Sequence, residues 1–268
     1  MAKRIAALLP AILLLALRPA GGAAAQRQGA EPPATAAHGG LWQKSLDVFA
    51  KNRAWYPEKI SVHSEVLDRH GDPYSITELF FATRIDADGR MLTELTRALK
   101  NGRDISQEMK AKVEIRHEDD GMPPQKEESL AVSLSDSPFD PERQERVEFH
   151  PGAERLKLFG HRCRRFDFSY RTQIVRKGRT EELTWNGMAW LDEASGVPVK
   201  LEFAVAPLPG RIRSLWTIYL YDTARADKWV VKSIAIAGRA GFLFINKRFR
   251  SITLFREYRL RKAKEAKE

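Results

Sequence analysis

Four clusters in this chain carry residue types that could do chemistry. His117-Glu118-Asp119-Asp120 opens like a zinc-protease helix, but it has no second histidine at the spacing one helical face needs. Arg84-Ile85-Asp86-Ala87-Asp88-Gly89 has the look of part of a calcium loop. Its first ligand position is Arg84 and its twelfth is Leu95, so an oxygen cage cannot form, and a tight turn explains the aspartates better. His161-x-Cys163 supplies two metal ligands without a third at a convincing spacing, His150 being close only in sequence. The carboxylate pairs Asp119/Asp120 and Glu181/Glu182 could share acid and base roles, but both read as solvated groups in polar turns. There is no G-x-S-x-G and no glycine-rich phosphate loop with its lysine. The expectation is a protein that is not an enzyme and calls for no metal and no cofactor.

The elements that would position any site begin after an export signal. Lys3 and Arg4 precede an apolar run from Ile5 to Leu17, and Ala23-Ala24-Ala25 forms an A-x-A-type cleavage site before Gln26. The run is shorter than the roughly 20 residues of a membrane span. Residues 1–25 therefore read as a cleaved signal peptide and place the protein in the periplasm; left uncleaved, the same segment would tether it to the inner membrane. Residues 26–40 read as a flexible leader, 41–260 as a single β-rich domain and 261–268 as a charged tail. The formal charge of +10 loses three cations with the signal and stays strongly positive. Export removes nucleic acid as a partner and points the charge towards an anionic membrane surface. Cys163 is the one cysteine, so no disulfide forms within the chain, and it reads as a buried inert thiol.

Within the domain, Trp42, Leu46 and Phe49 recur at i, i+4 and i+7, one apolar stripe of a helix over 41–53. The period then changes to two. Val62 to Asp68 and Ser75 to Ile85 flank the turn His70-Gly71-Asp72-Pro73. Met91 to Leu99 fits either a strand or a helix, and Asp104 with Gln107 could cap a short helix. His117 to Glu145, with four prolines, reads as a long loop. Phe166, Phe168 and Tyr170 alternate with polar residues. Val197, Val199, Leu201, Phe203 and Val205 do the same, and further strands follow over 183–191, 212–221, 229–237 and 242–258. Gly238 to Gly241 reads as a turn. Short turns between consecutive strands require antiparallel neighbours. The fold class expected is mainly β (α+β): an antiparallel β-barrel or strongly curved sheet with at least one helix against its apolar face. The C-terminal segment carries Arg239, Lys247, Arg248, Arg250, Arg256 and Arg259 among Phe249, Phe255 and Tyr258, an exposed strand face with a solvated tail that could meet anionic lipid.

One segment resembles a known family. Trp190-Leu191-Asp192-Glu193-Ala194-Ser195-Gly196-Val197-Pro198-Val199-Lys200-Leu201 is similar to the W-x-D-x-x-[ST]-G-x-P-[VL]-[KR]-L hairpin of LolA-like outer-membrane lipoprotein-sorting proteins. Gly160 to Phe168 is similar to their G-x-x-C-x-x-F-x-F strand. The resemblance implies an unclosed barrel of about eleven antiparallel strands plugged by helices, with an apolar cavity for acyl chains; related domains also sense envelope stress by binding lipid or lipoprotein.

These readings combine into an exported, monomeric binder or carrier of lipid or acylated protein, concerned with transport or lipoprotein sorting towards the outer membrane. Strand alternation nominates its cavity lining: Leu79 and Phe81, Phe166 and Phe168, Leu201 and Phe203, and Trp216 and Ile218. Helix 41–53 and the 117–145 loop would gate it. The same side chains could instead simply pack the core. Two rival functions stay open, a non-carrier envelope sensor or assembly factor that binds a protein partner, and a hydrolase on the same scaffold.

Overall fold

Trp42, Leu46 and Phe49 do form one buried stripe, on helix α1, Gly39–Asn52. In the computed structural model the described residues are 39–86, 91–111, 137–176, 179–208, 212–225, 228–242 and 245–261. Eleven strands follow α1: β1 Trp55–Leu67, β2 Pro73–Ile85, β3 Met91–Lys100, β4 Arg103–Asp104, β5 Val147–Leu158, β6 His161–Arg176, β7 Arg179–Asp192, β8 Pro198–Ala206, β9 Ile212–Arg225, β10 Lys228–Phe242 and β11 Ile245–Leu260. They make one antiparallel sheet in the order β4-β3-β2-β1-β11-β10-β9-β8-β7-β6-β5, open between β4 and β5. Antiparallel pairing is what the short turns require, and the open edge agrees with the unclosed barrel that the resemblance implies. Each strand neighbours the next in sequence except β4 and β5, which form the two edges. At the centre the first and last strands meet, β1 pairing with β11 from Trp55↔Leu260 to Leu67↔Arg248.

The sheet curls around α1. Trp42 stacks on Phe149 of β5 at 4.5 Å between ring centroids, and Phe49 meets Trp229 of β10 edge-on at 6.3 Å. On a flat sheet β5 and β10 would lie about 24 Å apart, whereas Trp42 and Phe49 are separated by about 10 Å of helix. Strong curvature brings both strands to one helix. Gly187 on β7 permits part of it: a Cβ there would sit 2.0 Å from the Glu202 carbonyl oxygen and 2.6 Å from the Phe203 Cβ, so only glycine allows β8 so close.

The structure decides segments the sequence left open and departs from its reading at others. Met91 to Leu99 is strand β3, paired with β2 from Ile85↔Met91 to Thr77↔Lys100. Gly238 and Gly241 lie inside β10, not in a turn. A Cβ on Gly238 would meet the Ser214 carbonyl at 2.4 Å and the Phe249 ring at 2.7 Å, so close packing, not chain reversal, requires the glycine. Glu181 and Glu182 are strand residues of β7. The expected 117–145 loop divides. Residues 112–136, with His117, Asp119 and Asp120, lie outside the described residues, as do Ala87 to Arg90, the signal segment and the tail beyond Arg261. Ser137 to Arg146 is ordered: Asp140 caps a 3-10 helix, Pro141–Arg146, by accepting from the Glu142 amide at 3.0 Å, and Phe139 is fully buried. Asp104 does cap helical residues 106–111, taking bonds from the Ser106 amide and hydroxyl at 2.8 and 2.6 Å.

Candidate functional site

Register shows how the apolar face is assembled. Residues directly opposite each other in antiparallel neighbours point to the same side. One such row runs Leu79, Val62, Thr253, Ile234, Tyr219, Leu201, Ala189, Phe166 and Pro151, crossing nine strands from β2 to β5. A second row contains Phe203, Gly187, Phe168 and Phe149. Two buried clusters lie on this face. The larger gathers Trp42, Leu46 and Phe49 of α1 with Phe139, Phe166, Phe168, Tyr170, Trp185, Leu201, Phe203, Tyr221 and Trp229. The smaller joins Ile60, Val62, Leu79, Phe81, Ile234 and Phe255, with Ile105 and Met109 packed against it.

Six of the eight nominated lining residues therefore share the helix-bearing face: Leu79, Phe81, Phe166, Phe168, Leu201 and Phe203. Trp216 and Ile218 do not. They pair with Ala204 and Glu202, and so project from the opposite face, where Trp216 is 38% exposed. Their places are taken by Thr217 and Tyr219, opposite Phe203 and Leu201. Apolar residues on both faces of β9 make alternation there ambiguous. The aromatic side chains form a continuous series: Tyr170 edge-on to Trp185 at 5.4 Å, Trp185 stacked on Phe203 at 4.4 Å, and Phe203 tilted on Tyr219 at 5.5 Å. Phe139, Phe149 and Trp229 belong to this site and were not nominated. A capping signal was present, since Ser137-Pro138-Phe139-Asp140-Pro141-Glu142 places Asp before Pro at a helix start.

α1 is fastened by a few polar bonds, midway along it and at its end. At its middle, the Ser45 hydroxyl donates to the Gly196 carbonyl at 2.6 Å and Lys44 Nζ reaches the Ala194 carbonyl at 3.5 Å. At its end, the Asn52 side-chain oxygen accepts from the Trp229 amide at 2.7 Å. The first clasp rests on the β7–β8 turn, the hairpin on which the family resemblance stands. Asp192 shapes that turn by accepting from the Ser195 amide at 3.0 Å and hydroxyl at 2.5 Å. Burial pushes the Asp192 carboxyl up, but the Ser195 bonds and nearby His161 outweigh it and hold it below the usual carboxylate range. A lowered folded-state pKa adds stability above the unfolded value, near pH 4, and loses it as pH falls through the folded one. Asp192→Ala is expected to cost about 1.5–3 kcal/mol at neutral pH. In denaturation midpoints measured against pH, its gap from the parent should close below about pH 4.

Cys163 and His161 of the nominated residues lie near the same turn. Cys163 is fully buried with Trp190 and Val199, and burial pushes its thiol up to about 11, where it is unreactive at neutral pH. His161 Nδ1 lies 3.5 Å from Asp192. Among the described residues no three His, Cys, Asp or Glu side chains converge on a common point. Cations of β11 are partly engaged: Arg250 pairs with Glu65, Arg259 with Glu58 at 2.7 Å, and Arg248 donates to the carbonyls of Asp68 and Arg69 at 3.1 and 2.8 Å. A polar cleft of about 250 Å³ between Arg146, Arg171, Thr172 and Glu182 opens at the end of the sheet remote from the β7–β8 clasp.

No family model and no curated protein matches the chain. Solved structures do resemble it. A domain from Vibrio parahaemolyticus assigned to outer-membrane lipoprotein sorting is 14% identical, with 84% of this chain and 95% of that one covered at a TM-score of 0.35. A DUF1329 family protein from Desulfovibrio piger is 8% identical over 83% of this chain and 92% of its own, also at 0.35. The Pseudomonas aeruginosa MucA/MucB complex contributes a chain 9% identical, covered over 99% of its length and 84% of this one, at 0.24. At these identities and scores the likenesses carry no functional argument, and any function must be argued from the chain's own residues.

Proposed function

We propose that this protein is an exported, periplasmic binder of lipid or acylated protein that lodges an acyl chain against the concave face of its sheet, with α1 as the lid and no catalysis of its own. The observation that carries the reading is the row across nine strands, apolar except for Thr253, with an amphipathic helix fastened over part of it by a few polar bonds. An acyl chain would take the place of the Trp42, Leu46 and Phe49 stripe. Undocking three such side chains costs about 4.5–9 kcal/mol at about 1.5–3 each. A buried methylene returns about 0.8 kcal/mol, so some six to eleven methylenes offset the displaced helix. Binding should therefore have a length threshold. Titration with fluorescent fatty-acyl probes of increasing length is expected to show little uptake near eight carbons and saturable uptake by sixteen. Equal response at all lengths, or none with sixteen carbons and no lipid in native mass spectra of protein isolated from its own envelope, would overturn the reading.

A second reading has its own support. β5 is an open sheet edge whose residues are mostly exposed, able to accept a strand from another chain, as a sensor or assembly factor would require. A stable protein cross-linked to β5 in cells, with no lipid in the recovered complex, would favour this function.

A further inference from the structure

The β5–β6 hairpin ends in a two-residue turn, Phe159-Gly160, between the paired residues Leu158 and His161. Both turn residues have positive φ, 50° at Phe159 and 92° at Gly160, as the tight turn between twisted strands demands. Asn, Asp or Gly suits the first position; a bulky aromatic there is strained. Phe159 is nonetheless 70% exposed, the most exposed large apolar side chain among the described residues, and Leu156 beside it is 51% exposed. Turn formation does not explain the aromatic, and neither does packing.

Cations surround this tip. Arg155 and Lys157 stand on one strand and Arg162 and Arg164 on the other, all within five residues of the turn. Glu193 meets two of them, Arg155 at 2.8 Å and Arg162 at 3.7 Å. Two further acids are near, Glu154 paired with Arg165 at 3.0 Å and Asp192 3.5 Å from His161, and bases still outnumber acids. We propose that this tip is a membrane-docking element: Phe159 and Leu156 enter the interfacial layer of a bilayer while the flanking cations meet anionic headgroups. A protein partner fits less well, because two side chains on a narrow turn offer far less than the roughly 800 Å² per partner of a stable interface. The inference goes beyond acyl binding on the concave face and does not depend on it. It also has a geometric corollary. The β7–β8 turn, which holds Lys44 and Ser45 of α1, is at the same end, since the Glu193 amide donates to the Arg162 carbonyl at 2.8 Å. Docking would bring that part of the helix towards the lipid surface.

The test is co-sedimentation of the purified full chain with phosphatidylcholine vesicles, with and without phosphatidylglycerol. The parent is expected to bind the anionic vesicles, less so as salt rises. Phe159→Asn suits the turn and should fold at least as well, yet should bind five- to tenfold more weakly. The pair Lys157→Ser and Arg164→Ser should remove much of the salt dependence. Binding by Phe159→Asn equal to the parent, equal binding to neutral vesicles, or no binding to anionic ones would each overturn the inference. So would a single protein captured by a cross-linker at residue 159 in place of lipid.

Discussion

Trp42→Ala is expected to lower stability by about 3–5 kcal/mol, the range for truncating a buried aromatic. Trp42 is 1% exposed and sits where four elements meet. Its ring stacks on Phe149 at 4.5 Å and tilts against Phe139 at 5.0 Å and Phe166 at 5.8 Å. Its indole N–H donates to Gln144 at 3.1 Å, so α1, the 137–146 segment and strands β5 and β6 share one side chain. Against a typical total of about 5–15 kcal/mol, this loss is large. Denaturant unfolding would measure it. Trp42→Phe should recover most of the loss, since it keeps the ring contacts and forfeits one hydrogen bond of about 1 kcal/mol. The same variant separates two roles for α1. If the helix is a lid, Trp42→Ala takes up long acyl probes more tightly while being less stable. If affinity falls together with stability, the helix is part of the binding wall.

Gly187→Ala should be as damaging despite adding one methyl group. The new Cβ would stand 2.0 Å from the Glu202 carbonyl oxygen, which is backbone and cannot rotate away. β8 would have to move off β7, disturbing the Trp185–Phe203 stack at 4.4 Å. Overpacking usually costs about 1–3 kcal/mol, and a clash with backbone belongs at or above the top of that range. Gly40 is the control. A Cβ there meets nothing within 4 Å, and its place in α1 favours alanine, so Gly40→Ala should be neutral or raise stability by up to about 1 kcal/mol. Unfolding midpoints of the two variants should move apart.

How much of this was legible in the sequence depended on whether one face of an element is wet. α1 could be read because Trp42, Leu46 and Phe49 are buried while Gln43, Lys44 and Asp47 are exposed. β8 could be read because Leu201 and Phe203 point inward between Lys200 and Glu202, which pair with each other on the outer face. β5 could not, since an edge strand exposed along most of its length leaves no alternating signal and carries Pro151 and Gly152 as well. The inward face of β9 was misread because Thr217 and Tyr219 turn to the core while Trp216 and Ile218 turn away. Central strands hold apolar residues on both sides, so polarity no longer reports direction. Phe139 was hidden by its prolines, which suggest a loop without saying whether the loop is buried. The aromatic strands of the site were therefore visible as strands, but the segments that cap them were seen only in part.

The pairing of β1 with β11 has a consequence for how the molecule is made. β1 to β4 and β5 to β10 are two separate meanders, each able to zip up by local hairpins, and β11 alone lies between them in the sheet. Until that strand arrives, both half-sheets expose a raw edge, and the row from Leu79 to Pro151 is cut between Val62 and Ile234. β11 is the keystone of an arch: the last stone placed, and the one that turns two leaning piers into a span. A chain shortened before Ile245 would not be a slightly smaller version of this protein but two incomplete ones.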